Sequence, residues 1–97
     1  MNYKINIDTK ANFFLKKLSK STPKDFDKID YFLTNILPSA ENPCTLPNAK
    51  HLQGFKDNRY RWRLGNYRVI GIVENGETKI IQIIKIAKRD ESTYKGL

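Results

Sequence analysis

The second half of the chain carries two turn signals between strand patterns, and this arrangement constrains the fold more than any other feature. Residues 59–64 alternate between arginine and a large apolar side chain, which is the period of a strand with one buried face. Gly65-Asn66 is a turn signal, and Asn75-Gly76 is the strongest short signal for a β-hairpin. Residues 80–86 are apolar on both faces, which predicts a central strand. The pattern predicts an antiparallel sheet.

The first half has the periodicity of helices after one short strand. Residues 3–8 alternate between apolar and polar side chains, as a half-buried strand does. An apolar stripe from Ala11 to Leu18 predicts one helix, and a second is expected to begin at Pro23 and end at Pro38. Residues 39–49 have the composition of a loop. The predicted fold is α+β, in the order β-α-α-β-β-β, with the two N-terminal helices packed on one face of the antiparallel sheet.

Length and charge narrow the class of partner. The 97 residues suffice for one domain, residues 1–97, with a single modest core. A net charge of +8 indicates a polyanion or an acidic protein as the partner. All the arginines lie in the second half, and arginine is the residue best suited to forked contacts with phosphate: Arg59, Arg61, Arg63, Arg68 and Arg89.

Several classes of protein are excluded by what the sequence holds. Cys44 is the single cysteine and His51 the single histidine, so we expect no disulfide, no metal site and no cofactor. The longest apolar run is residues 69–73, far shorter than the ~20 residues that span a bilayer. The N-terminal residues lack the apolar core of a signal peptide. We therefore expect a cytoplasmic protein without membrane contact.

The arginines at alternate positions of the third predicted strand indicate a binding face. If the helices cover the face that holds Trp62, Arg59, Arg61 and Arg63 lie on the open face, and Arg68 on the next strand points to the same side. Such a cluster of like charges suits a phosphodiester backbone. The alternative is a solvated face with arginines lying over aliphatic carbons, which we favour for Arg59 because it begins the strand.

Two further residues are candidates for the same face. Arg89 lies just beyond the last strand and is expected to join the arginines at one end of the sheet. Tyr94, in the short polar tail, is available to stack on a base. The alternative for Tyr94 is that it only anchors the tail to the sheet.

A set of short motifs resembles the RelE/ParE toxin superfamily of bacterial toxin–antitoxin systems. These motifs are Leu52-Gln53-Gly54, Tyr60-Arg61-Trp62-Arg63-Leu64, Gly65-Asn66-Tyr67-Arg68-Val69-Ile70, and Lys88-Arg89 followed by Tyr94. The basic residues that flank Trp62, and the basic pair followed by a tyrosine, are most similar to the RelE branch, whose members are ribosome-dependent endoribonucleases that cut messenger RNA in the ribosomal A site. The resemblance covers nearly the whole chain and implies the RelE-like fold.

The resemblance also implies a reaction and a role for each site residue. In this family the 2′-hydroxyl of the messenger attacks the adjacent phosphate, giving a 2′,3′-cyclic phosphate and a 5′-hydroxyl. Arg61 and Arg68 match positions that neutralise the phosphate, and Arg63 matches a basic residue proposed to help deprotonate the 2′-hydroxyl. Arg89 matches a leaving-group stabiliser or acid, and Tyr94 an aromatic residue that stacks on a messenger base.

Arg63 departs from what a general base needs. An arginine side chain stays protonated and is a poor proton acceptor, so Arg63 either orients and stabilises, or the proton goes to His51 or Tyr94. Many relatives carry a histidine near the end of the last strand, where this chain has Lys88. We expect Lys88, Arg59 and His51 to contribute to RNA binding.

The implied partners are the ribosome with its messenger RNA and an acidic antitoxin encoded alongside the toxin. The antitoxin is expected to bind through an apolar helix flanked by carboxylates, covering or displacing the surface of Arg61, Arg63 and Arg89. The toxin would then be a monomer or a heteromer with the antitoxin. Two alternatives stay open: a ParE-like inhibitor of DNA gyrase, and a non-catalytic basic RNA-binding domain with the same fold.

Overall fold

The computed structural model describes residues 3–89, and the structural statements below concern that part of the chain. The strands are β1 (Lys4–Ile7), β2 (Ala49–His51), β3 (Arg59–Leu64), β4 (Tyr67–Asn75) and β5 (Lys79–Lys88). The helices are α1 (Thr9–Ser21), α2 (Pro23–Tyr31), a π turn (Phe32–Ile36), α3 (Leu37–Ser39) and a 3₁₀ turn (Pro43–Thr45). None of the described helices is long and apolar enough to span a bilayer.

The five strands form one open sheet in the spatial order β1-β5-β4-β3-β2, with the helices packed on one face. This confirms the predicted α+β class and the central position of β5. Two details differ from the prediction. β1 runs parallel to β5, whereas all other pairs of neighbouring strands are antiparallel. A parallel pair is possible here because β1 and β5 are the first and last strands of the chain and are not joined by a hairpin. The additional strand β2 has three residues, too few to show a period in the sequence.

The helices begin at residues that favour the first positions of a helix. The Asp8 carboxylate accepts a hydrogen bond from the Ala11 N–H at 3.0 Å and begins α1. Pro23 is the first residue of α2, where its missing N–H costs nothing. Pro38 was expected to end the second helix, but the chain continues through α3. The π turn directly before it, with the Leu37 N–H bonded to the Phe32 carbonyl, provides the wider backbone that accommodates a proline.

The core lies between the helices and one face of the sheet, and Trp62 is its largest fully buried side chain. Its indole N–H donates to the Pro43 carbonyl at 3.0 Å, so the one polar atom of the ring is satisfied. Tyr60 and Leu64 pack against the same core, while Arg63 is exposed. The predicted assignment of the two faces of β3 is therefore confirmed.

A β-bulge in β5 explains why its sequence is apolar on both faces. Ile70 lies opposite Lys85 and Gly71 opposite Ile83, which leaves Ile84 as an extra residue. The core residues of β5 are consequently 81, 83 and 86, and the period of two is broken by one position. The bulge also brings Lys85 to the face of the sheet that the helices do not cover.

Gly71→Ala is expected to destabilise the domain by about 1–3 kcal/mol, because a Cβ at this position overpacks the core. It would lie 3.1 Å from the Gln82 carbonyl oxygen and 3.1 Å from a side-chain carbon of both Ile81 and Trp62. Gly76→Ala is the matched control, because nothing lies within 4 Å of a Cβ there. Urea unfolding of both variants measures the difference, and equal stabilities would contradict the close approach at Gly71.

Candidate nucleic-acid interface

Four arginines lie on the open face of the sheet, opposite the helices. Arg59, Arg61 and Arg63 alternate with the core residues of β3, and Arg68 on β4 lies directly across from Arg63. Side chains of directly opposed residues share a face, so the arginines of the two strands form one basic surface. We call Arg59, Arg61, Arg63 and Arg68 the arginine face. Like charges directly opposed are unfavourable without an anion between them.

Lysines extend this basic surface in both directions across the sheet. Lys50 on β2 lies opposite Arg61. In the other direction along the sheet, Arg61 lies opposite Ile70 on β4, and Ile70 lies opposite Lys85 on β5. Sequence reasoning missed both lysines as members of this face. The position of Lys50 follows from the register of β2, a strand too short to predict from the sequence. The position of Lys85 follows from the bulge in β5.

Three arginine nitrogens of this face are buried and have no hydrogen-bond partner within residues 3–89. They are Nη1 of Arg59, Nε of Arg61 and Nη1 of Arg68. A buried donor without a partner costs about 1–3 kcal/mol, and more when it is charged. Three such donors on two adjacent strands are a costly arrangement unless an acceptor occupies the face, and the acceptor that matches guanidinium groups is an anionic oxygen.

Arg59 and Arg61 are held in position by neighbouring groups. The Arg59 Nε donates to an Asp57 carboxylate oxygen at 2.8 Å, and its guanidinium lies 4.3 Å from the centre of the Phe55 ring. The Arg59 side chain is only 16% exposed, so it is not a solvated arginine. Arg61 makes a long contact of 3.4 Å from Nη1 to the Asn48 carbonyl. Each side chain therefore has a contact within the sheet and its adjoining loops.

Arg89 lies at the end of the sheet that holds Arg63 and Arg68. Its backbone N–H donates to the Asn66 carbonyl in the β3–β4 turn at 2.5 Å. Arg89 comes two residues after Ala87, the residue that lies opposite Arg68. Arg89 also lines a cavity together with Asp25, Tyr67 and Lys88, which lie on the side of the helices, so the expectation that its side chain joins the arginine face stays a prediction.

The other site residues proposed from the sequence are not brought to the arginine face. Lys88 lies opposite Tyr67, on the side of the helices. His51 lies opposite Tyr60, also on that side, and its ring packs edge-on against the Tyr60 ring at 5.0 Å between centres. A general base must lie within about 2.6–3.2 Å of the oxygen whose proton it removes, and His51 is on the wrong side of the sheet for an RNA bound across the arginines. Tyr94 lies outside the described residues.

Tyr67 ties the start of β4, and with it Arg68, to the helices. Its hydroxyl donates to an Asp25 carboxylate oxygen on α2 at 2.7 Å. Burial of the ring, together with this hydrogen bond and the negative charge of Asp25, raises the pKa of Tyr67 to about 12.

No group of three or more possible metal ligands occurs in residues 3–89.

Tyr67→Phe is expected to lower the free energy of unfolding at pH 7 by about 1 kcal/mol, the net value of one hydrogen bond. Because the pKa of Tyr67 is raised from 10.0 to about 12, its stabilising contribution is complete below pH 10 and is lost as the pH rises through 12. The wild-type protein should therefore lose its advantage over the variant in this range. Urea unfolding at pH 7 and at several values above pH 9 tests this, and a constant difference would contradict it.

Comparison with known proteins gives matches among solved structures. No family profile and no curated protein sequence matches the chain. The toxin–antitoxin complex RelBE2 from Mycobacterium tuberculosis contains a chain that matches with a TM-score of 0.71 and 21% identity, covering 92% of this chain and 100% of that one. The YoeB dimer from Staphylococcus aureus matches with a TM-score of 0.65 and 18% identity, covering 88% and 94%. Both show the same fold.

A third structure is similar in sequence as well. The archaeal RelE–RelB complex from Pyrococcus horikoshii contains a chain that is 30% identical, with a TM-score of 0.60, over 95% of this chain and 100% of that one. The helices packed on one face of an open sheet agree with this similarity. The chain belongs to the RelE-type toxins of toxin–antitoxin systems.

Proposed function

We propose that the protein is the toxin of a type II toxin–antitoxin system and acts as a ribosome-dependent endoribonuclease, cutting messenger RNA in the A site. The observation that carries this proposal is the set of buried guanidinium nitrogens without partners on Arg59, Arg61 and Arg68. A phosphodiester supplies the anionic oxygens that such donors lack. Charge on those oxygens increases as the phosphorus becomes pentavalent, so donors fixed in advance stabilise the transition state more than the ground state.

In the proposed reaction the 2′-oxygen forms a bond to phosphorus while the bond from phosphorus to the 5′-oxygen breaks. The products are a 2′,3′-cyclic phosphate and a 5′-hydroxyl, so one proton leaves the 2′-hydroxyl and one reaches the 5′-oxygen. Arg61 and Arg68 would stabilise the non-bridging oxygens, Arg63 would orient the 2′-hydroxyl, and Arg89 would stabilise the leaving oxygen. Tyr94 would stack on a messenger base.

Dependence on the ribosome follows from the chemistry of these side chains. Arginine is a poor proton acceptor, and His51 faces the helices, so the arginine face offers charge stabilisation without an evident base. The RNA must then arrive with its 2′-oxygen already in line with the phosphorus, and the ribosome is proposed to impose that geometry. Arg59 would act as a further contact to the RNA, whereas Lys88 and His51 lie on the other side of the sheet and are left out of the proposed interface.

The proposed regulator is an acidic antitoxin that covers the surface of Arg61, Arg63 and Arg89. The Mycobacterium and Pyrococcus structures are toxin–antitoxin complexes, which supports a partner of this kind. A net charge of +8 favours rapid association with an acidic chain. We propose that the toxin acts in the cytoplasm, where its ribosomal target is found, and is either monomeric or bound to this antitoxin.

Induction of the protein in bacteria separates the proposed target from DNA gyrase. Protein synthesis is followed by pulse labelling, and the superhelical density of a reporter plasmid is measured in the same culture. The proposal predicts that protein synthesis stops while the plasmid stays negatively supercoiled. Plasmid relaxation before any fall in protein synthesis would indicate a gyrase inhibitor, and no effect on either process would indicate a non-catalytic binding domain.

A further inference from the structure

Phe13 is an exposed aromatic residue on the outer side of α1. Its side chain is 61% exposed, the largest exposure among the large apolar side chains of the described chain. The apolar stripe of the helix, with Ala11, Leu15 and Leu18, is buried in the core, and Phe13 lies on the opposite side of the helix. The ring of Phe13 therefore takes no part in packing α1 on the sheet and is open to a ligand.

Lysines surround Phe13 on the exposed surface of α1. The neighbours of a residue on a helix surface are three and four positions away. Lys10 comes three positions before Phe13, Lys16 and Lys17 come three and four positions after it, and Lys20 follows one turn further along. All four lysines are exposed, and the Lys17 ammonium lies 5.3 Å from the centre of the Phe13 ring. We call Phe13 and these four lysines the α1 face.

No acidic residue within α1 balances these charges. Residues 9–21 contain four lysines and no Asp or Glu, and none of the four forms an ion pair within residues 3–89. A solvated helix face ordinarily mixes both signs, because opposite charges four positions apart stabilise a helix, whereas like charges such as Lys16 and Lys20 destabilise it. Lys10 is also unfavourable at the positive end of the helix. An anion bound on the α1 face would relieve these repulsions.

An aromatic ring among cations matches an unpaired nucleotide. Sites for single-stranded nucleic acids use an aromatic side chain as a platform for a base and basic side chains for the phosphates. In folded RNA, the bases open to such stacking are those of bulges and loops. A lipid bilayer fits less well, because an interfacial helix buries its apolar stripe in the lipid, and the stripe of α1 is already buried in the core.

We propose that the α1 face binds an unpaired base of a folded RNA, with Phe13 stacked on the base and the lysines against the flanking phosphates. The α1 face lies on the helix side of the sheet, so this RNA does not overlap a messenger held by Arg61 and Arg63. Identifying the folded RNA with ribosomal RNA rests on the proposed function, but the binding itself does not. The domain would then contact the messenger on one side and ribosomal RNA on the other.

An RNA hairpin with one bulged uridine tests this inference, beside the same hairpin without the bulge. We expect the full-length protein to bind the bulged hairpin more tightly by about fivefold or more, the gain that stacking of one base provides. Phe13→Ala should abolish this difference between the hairpins, and Phe13→Tyr, which keeps an aromatic ring, should restore it.

Tyr31→Ala is the matched control for Phe13→Ala. Tyr31 on α2 is 59% exposed, but the residues three and four positions away from it are Asp27, Lys28, Thr34 and Asn35, so its ring lacks a surrounding set of cations. The preference for the bulged hairpin should remain at the wild-type value in this variant.

The salt dependence of the same binding tests the role of the lysines. Lys16→Gln combined with Lys20→Gln should reduce the slope of log affinity against log salt concentration by about 1.4–1.8, because two contacts to phosphate are lost. Lys4→Gln combined with Lys28→Gln removes the same charge from exposed residues of β1 and α2. This second double variant should keep a slope near that of the wild-type protein.

Photocrosslinking locates the bulged base on the protein. With 4-thiouridine in the bulge, trypsin digestion should yield the RNA attached to the peptide of residues 11–16, which contains Phe13. A preference for the bulge that survives Phe13→Ala, or crosslinks confined to the strands of the arginine face, would overturn the inference. So would equally tight and Phe13-dependent binding to phosphatidylglycerol vesicles or to polyglutamate, which would indicate a membrane or an acidic protein as the occupant.

The outcome is distinguishable from that of the proposed function. On ribosomes, Phe13→Ala should raise the ribosome concentration that gives half-maximal cleavage, while the rate at saturation stays that of the wild-type protein. If the protein cuts no messenger but the hairpins bind as described, the proposed function fails and this inference stands. If the messenger is cut and the protein shows no preference for the bulged hairpin, the reverse holds.

Discussion

Arg61→Met is expected to reduce the rate of messenger cleavage on ribosomes by about 10²- to 10³-fold, the usual cost of removing one preorganised charge from a transition state. The melting temperature should stay unchanged or rise. The Arg61 Nε is buried and has no hydrogen-bond partner within residues 3–89, and methionine keeps most of the side-chain volume without that unsatisfied donor. Single-turnover cleavage and thermal melting, measured on the same preparation, test both parts.

Lys24→Met is the matched control for this prediction. Lys24 is an exposed residue on α2, away from the arginine face, so the control removes one positive charge without touching the site. Its cleavage rate should remain near that of the wild-type protein. If both variants lose activity equally, the general positive charge of the protein matters and the arginine face does not. If Arg61→Met instead lowers the melting temperature strongly, Arg61 serves the fold.

Trp62→Ala is expected to have the largest effect on stability, about 3–5 kcal/mol, because it removes the largest fully buried side chain. A domain of this size has only about 5–15 kcal/mol in total, and the expected fall in melting temperature is about 12–40 °C. The loss includes the indole hydrogen bond to the Pro43 carbonyl, which ties the 3₁₀ turn to β3.

The neighbouring variant Arg63→Ala provides the internal comparison for Trp62→Ala. Arg63 follows Trp62 on the same strand but is exposed on the opposite face, so its removal should change the melting temperature little. Both variants should lose toxicity, Trp62→Ala because the domain unfolds and Arg63→Ala because the proposed active site loses a charged side chain. Similar melting temperatures for the two variants would contradict the assignment of the two faces of β3.

The arginine face could be predicted because it depends on local rules. Strict alternation from residue 59 to 64 decides which side chains share a face, and a tight turn carries that alternation into β4. Trp62 on the covered side and Arg63 on the open side follow directly. The helix boundaries at Asp8 and Pro23 are equally local, since each depends on a capping preference of one residue.

The parts that the sequence did not predict depend on contacts between distant segments. The parallel pairing of β1 with β5 joins residues about 76 apart in the chain, as in Lys4 with Ile80, and no local period encodes it. The position of His51 on the covered face depends on the register of the three-residue strand β2. The unsatisfied arginine nitrogens arise from packing in three dimensions, so they have no signature in the order of residues.

The most direct test of the proposed activity is incubation of the purified toxin with a defined messenger, either free or positioned on ribosomes with an empty A site. The account predicts cleavage within the A-site codon on the ribosome, with a 2′,3′-cyclic phosphate on one fragment and a 5′-hydroxyl on the other, and little cleavage of the free messenger. Efficient cutting of free RNA, or intact messenger on programmed ribosomes, would contradict it.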